Sequence, residues 1–122
     1  MVFVEEIVTK PEGYEWILTV SDGVIKLHCD TYRGSEFSSG DKFDEEILAY
    51  GIKNIYKSNV HKFFVGNNEL TQKQHINAKV VDVINRIVRV GNHKIILGED
   101  VIPGDILDED FIEFDVDYLA VY

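Results

Sequence analysis

The chain has 122 residues, 45% hydrophobic and 11% aromatic, with 22 acidic against 12 basic side chains and a net charge of −10. That is enough apolar material for one core, which excludes a disordered chain, and Cys29, the single cysteine, excludes an internal disulfide framework. No apolar run reaches the roughly 18 residues of a membrane-spanning helix, and Met1–Glu6 carries no basic-then-apolar leader pattern, so a single cytoplasmic domain over residues 1–122 is expected.

In chain order, Tyr14–Val20 is apolar and β-prone, Ser21-Asp22-Gly23 is a hairpin signal, and Val24–Cys29 is the returning strand. Asp30–Ser39 reads as loop. Gly40-Asp41-Lys42-Phe43-Asp44-Glu45-Glu46 follows, a phrase nearly repeated as Gly104-Asp105-Ile106-Leu107-Asp108-Glu109-Asp110. Residues 44–57 suit a helix. Asp44 stands at its cap, Glu45 and Glu46 at the positive end, Lys53 and Lys57 at the other, and Ile47, Leu48, Ile52, Ile55 and Tyr56 make one stripe. Gly51 costs this helix about 1 kcal/mol, while the same stretch read as a strand puts Leu48, Tyr50, Ile52, Asn54 and Tyr56 on one face with Asn54 out of place; the helix places charges and apolar groups better.

Residues 66–74, with Asn67-Asn68, read as a connector. Ala78–Ile84 and Ile87–Val90 form a second strand pair around Asn85-Arg86, and Lys94–Leu97 a third short strand after Gly91-Asn92. Phe111–Tyr122 alternates as one long strand, with Ile112, Phe114, Val116, Tyr118, Ala120 and Tyr122 on one face and Glu113, Asp115 and Asp117 on the other. The order strand, turn, strand, loop, Gly-Asp phrase occurs twice. The expected fold is therefore mainly β, or α+β with the one helix: a small antiparallel barrel or sandwich, built as two related halves, 14–57 and 77–122, sharing a core.

The repeated phrase invites a metal reading, but neither copy has the central glycine and closing glutamate of a calcium loop. Gly followed by Asp is a turn device, so no metal and no cofactor is assigned. His28 and Cys29 are strand neighbours and point to opposite faces, so they do not form a nucleophile–base pair. His61, His75 and His93 lack zinc-ligand spacing. With no catalytic motif present, the chain is read as a non-enzyme.

Charge is the most informative property. Residues 99–122 hold nine acids, including Glu99 and Asp100, and no Lys or Arg, while the other 98 residues carry 13 acids and 12 bases. Such a field disfavours nucleic acid and attracts basic proteins. The sequence therefore points to an acidic protein-binding module, of the kind that neutralises a basic partner such as a nuclease toxin in the manner of an inhibitor or immunity protein. Asp108, Glu109, Asp110, Glu113, Asp115 and Asp117 are its expected contact face. The alternative is a β-barrel binding a small ligand or oligosaccharide through Tyr14, Trp16, Tyr32 and Phe37. If the last strand is a sheet edge, its acids discourage self-pairing and favour a monomer.

Overall fold

A computed structural model describes residues 1–11, 13–67, 73–98 and 102–122. Among these residues, Asn68, Glu99 and Asp100 of the sequence reading are not included.

The strands are β1 (Phe3–Thr9), β2 (Trp16–Ser21), β3 (Lys26–Thr31), β4 (Ile47–Tyr50), β5 (Lys53–Lys57), β6 (Phe64–Asn67), β7 (Gln74–Asp82), β8 (Ile87–Val90), β9 (His93–Leu97), β10 (Phe111–Val116) and β11 (Tyr118–Val121). They form one sheet in the order β1-β2-β3-β11-β4-β9-β8-β7-β10-β5, with β6 also paired to β7. The fold is mainly β, and the sheet does not close. A single turn of 3-10 helix, Gly34–Glu36, is the one helical element among the described residues.

The hairpins follow their local chemistry. Between β2 and β3, Gly23 takes φ +96, and the Asp22 carboxylate accepts hydrogen bonds from the Val24 and Ile25 N–H groups at 2.9 and 2.7 Å. β7 and β8 are joined through a turn in which Arg86 takes φ 56. Inward positions alternate as a half-buried sheet requires. Val4, Leu18, Val20, Leu27, Ile76, Val88, Ile95, Ile112 and Phe114 are all fully buried and belong to one cluster. Because that cluster draws on strands from β1 through β10, the sheet must curl around it.

The helix expected over 44–57 does not form. The chain runs there as β4 and β5, and Gly51 (φ +67) and Asn54 (φ 56) both lie outside the right-handed helical region. The backbone groups find partners on distant strands instead. β4 pairs with β9 and β11, and β5 pairs with β10. Those partners outweigh a local preference that was nearly balanced.

The last segment also differs from expectation. It is not one strand. A bend at Asp117 divides β10 from β11 and shifts the alternation by one, so that Ile112, Phe114 and Val116 face inward, then Leu119 and Val121, while Tyr118 and Tyr122 turn outward. Neither piece is a sheet edge, since β10 lies between β5 and β7, and β11 between β3 and β4. β4–β5 and β10–β11 run side by side round a shared corner, with Tyr50 opposite Tyr118 and Lys53 opposite Asp115. Gly51 sits at that corner, where a Cβ would come within 2.5 Å of the Asp117 Cβ.

The repeated Gly-Asp phrases are not structurally equivalent. Gly40 takes φ +94 and Gly104 does not. The first phrase forms a bridge to β1 through Phe3 and Lys42. The second makes two successive turns, in which the Leu107 N–H donates to Asp110 at 2.8 Å.

Candidate functional site

The six acids expected to form the contact face lie along β10 and the turns at its two ends, but each has a protein partner. Lys79 meets Glu109 at 2.9 Å, Lys57 meets Asp110 at 3.4 Å, and Lys53 meets Asp117 at 3.5 Å. Asp108 accepts the Val83 N–H at 2.8 Å. Asp115 accepts from Asn54 at 2.9 Å and lies 2.6 Å from His75 Nδ1. Hydrogen bonds from Asn54, then His75, hold its carboxyl below the usual range. The Tyr56 hydroxyl donates to Glu113, whose side chain is only 15% exposed. The cause is the sheet order. With β10 interior, its outward acids face β5 and β7, and cross-strand neighbours of opposite charge pair. The row is a mixed-charge ladder and not an uncompensated acidic plate.

Of the four aromatics in the alternative set, two pack the fold and two are exposed. Trp16 is half-buried beneath Gly34, where a Cβ would lie 2.6 Å from Trp16 Cβ and closer still to the ring. Phe37 is half-buried, with the Arg33 guanidinium 5.5 Å from its centroid. Tyr14 and Tyr32 stack nearly parallel, their centroids 6.2 Å apart, and are 63% and 59% exposed.

Three further tyrosines join them, none of which the sequence pattern assigns to a site. Tyr50 stacks on Tyr118 at 5.2 Å and meets Tyr122 edge-on at 6.2 Å. A cleft of about 150 Å3 lies among Tyr32, Tyr118, Tyr122, Glu15 and Asp30. The Tyr122 phenol is pushed up to about 12, first by its hydrogen bond with Tyr50 and then by burial and the neighbouring phenols. Glu15 raises the Tyr32 phenol, first by its charge and then by a hydrogen bond. Five of the six tyrosines thus share one face, built where β3, β11 and β4 adjoin. The signal was present in part: Tyr118 and Tyr122 share a strand face by spacing, but the one-residue shift at Asp117 decides that this face is the outer one.

Around this surface, Lys10 bridges Glu15 and Asp30, the latter at 3.1 Å. Arg33 holds Glu45 at 2.7 Å and Glu36 at 3.1 Å, and donates to the Tyr122 carbonyl oxygen at 2.7 Å. The four acids exceed the two bases, so the rim is weakly negative.

Other candidates carry less. Cys29 is fully buried, and burial, followed by the Asp30 charge, pushes its thiol far up, which leaves it inert. His28 Nδ1 lies 2.9 Å from the Thr19 hydroxyl. His61 stacks on Phe111 at 5.1 Å. Among the described residues no three or more His, Cys, Asp or Glu side chains group so as to hold a metal, and no helix is long and apolar enough to cross a membrane. Comparison with known families, curated proteins and solved structures gives no match.

Proposed function

We propose that this chain is an acidic protein-binding module that docks a basic partner, in the manner of an inhibitor or immunity protein, through the tyrosine face of β3, β11 and β4. The observation that carries the reading is the cluster Tyr14, Tyr32, Tyr118 and Tyr122, each exposed beside an excess of carboxylates. Tyrosine is enriched at interface hot spots because it offers a large contact area at little entropic cost. Its ring face attracts the cations of arginine and lysine. The net charge of −10 steers a basic protein into encounter, and the tyrosines supply the contact that holds it. The acids of β10 contribute to that field without being the docking surface. In this reading the module is a cytoplasmic monomer until its partner arrives. Its sheet is an incomplete barrel, brought back on itself by the continuity of β4 with β5 and of β10 with β11.

An arginine–lysine decapeptide is the probe. Amide shifts in an NMR titration are expected to cluster on residues 14–16, 30–33 and 118–122 and to weaken with salt. Tyr32→Ala and Tyr122→Ala should each lower affinity about tenfold and leave the melting temperature unchanged. Shifts centred on Glu113 and Asp115, or scattered over all acids, would overturn the reading. A second reading, an oligosaccharide-binding surface, is favoured by the parallel Tyr14–Tyr32 stack beside Glu15 and Asp30, and is separated by titrating maltohexaose against the same resonances.

A further inference from the structure

Next to the tyrosine face, joined to it by the Arg33–Glu45 bridge, is a half-open cavity of about 400 Å3. Ile47, Ile87 and Ile96 give it an apolar lining, and Asp44, Glu45 and Glu46 line it from the segment entering β4. Glu45 is held by Arg33. Asp44 and Glu46 are exposed and, like several other acids among the described residues, form no ion pair.

An acidic cluster alone would mean little, but His93 also lines this cavity. It is only 2% exposed, and its Nε2 lies 2.8 Å from the Ile25 carbonyl oxygen. A carbonyl can only accept, so Nε2 carries the hydrogen. Burial holds the ring's protonation down, so the imidazole is neutral and Nδ1 keeps a free lone pair. That nitrogen is buried without a hydrogen-bond partner. Buried acceptors are rarely left unmet, and a neutral Nδ1 can be met only by an N–H or O–H donor.

We infer that this cavity receives a lysine side chain of the basic partner, its ammonium donating to His93 Nδ1, Asp44 and Glu46 and its methylene stem lying against Ile47, Ile87 and Ile96. The inference rests on the docking reading above and names the residue type that anchors it. Three N–H donors meet three acceptors, and a lysine stem buries readily along apolar surface while its head seeks polar company. Two cations oppose the occupant. Lys94 lines the cavity, and the amino-terminal ammonium acts on His93. A free ammonium therefore binds weakly, and the partner's wider contact supplies the rest.

The test uses the full chain labelled with 15N-histidine and 13C-methyl isoleucine, titrated with n-butylammonium. Tetramethylammonium, which has no N–H, serves as the control at equal ionic strength. A saturable shift of His93 Nδ1 and of the Ile47, Ile87 and Ile96 methyls is expected with n-butylammonium alone. The double variant Asp44→Asn, Glu46→Gln should weaken it about tenfold, and Lys94→Gln should tighten it. All three substitutions are at exposed positions, so the fold is retained. An unresponsive Nδ1, which water alone then satisfies, overturns the inference. So does an equal response to tetramethylammonium, or an affinity unchanged in the double variant. Because the probe needs no partner, a decapeptide that still binds the tyrosines while butylammonium fails overturns only the lysine cavity. The converse result keeps the cavity and removes the docking face.

Discussion

Replacing Gly51 with alanine distinguishes the observed corner from a helix by the sign of its effect. In a helix spanning 44–57, alanine would stabilise by about 1 kcal/mol relative to glycine. At the corner, Gly51 has φ +67, a conformation that costs a residue with a side chain about 1–3 kcal/mol. The new Cβ would also sit 2.5 Å from Asp117 Cβ and Cγ. Those atoms lie close to the backbone, where the Asp117 N–H donates to the Tyr50 carbonyl at 2.9 Å, so they cannot swing away as the tip of a long side chain would. Overpacking of this kind costs about 1–3 kcal/mol. The sum, about 2–6 kcal/mol of lost stability, corresponds to a fall of roughly 1–3 M in the urea midpoint at a slope of about 2 kcal/mol/M. Equilibrium urea unfolding followed by far-UV circular dichroism measures it. A variant as stable as the parent, or more so, would refute the corner and with it the outward placement of Tyr118 and Tyr122.

Gly34→Ala should also destabilise, by about 2–3 kcal/mol, because its Cβ would meet Trp16 at 2.6 Å or less. Trp16 is the only tryptophan, so its fluorescence reports the displacement, and Trp16→Leu in the same chain should recover part of the loss. For Asp115, the folded-state carboxyl is held down by Asn54 and His75, so its stabilisation is present above its unfolded value and lost as pH falls through the lower folded one. Asp115→Asn should therefore flatten the acid limb of stability below about pH 4 in a pH series of thermal melts. Cys29 should resist a thiol reagent in native buffer and react fully in denaturant. Reversing Glu113, Asp115 and Asp117 to lysine should lower the melting temperature, since the new cations would face Lys53 and His75.

Local chemistry made much of the architecture readable. Asp22-Gly23 and Gly91-Asn92 are turns whose residues supply the required conformation themselves, with φ +96 at Gly23 and +57 at Gly91. The strands on either side, β2–β3 and β8–β9, followed from them. β1 and β6 pair with the strands that directly follow them, β2 and β7, but their own stretches, FVEEIVT and FVGN, carry no clean alternation to announce them. Residues 44–57 carry an ambiguous pattern instead. Ile47, Leu48, Ile52, Ile55 and Tyr56 satisfy a helical stripe, Leu48, Tyr50, Ile52 and Tyr56 a strand face, and only partners on β9, β10 and β11 break the tie. The acids of β10 were found correctly as a row, but Lys53, Lys57 and Lys79 are 29 or more positions away in sequence and become neighbours only through the sheet order. The tyrosine face is legible at Tyr14 and Tyr32 and, in part, in the shared spacing of Tyr118 and Tyr122. His93 gave no local sign, since its orphaned nitrogen exists only because the fold buries the ring.

The place of β11 has a consequence for how the molecule is made. It joins the β1–β3 meander to the remaining strands through a parallel pairing with β3 and an antiparallel one with β4. During synthesis, the two flanking portions can collapse separately, yet they cannot be zipped together until residue 121 has cleared the ribosome. Parallel, long-range pairing of this kind assembles slowly. Until then the edges of β3 and β4 that β11 pairs with are open, a window in which a chaperone has something to hold.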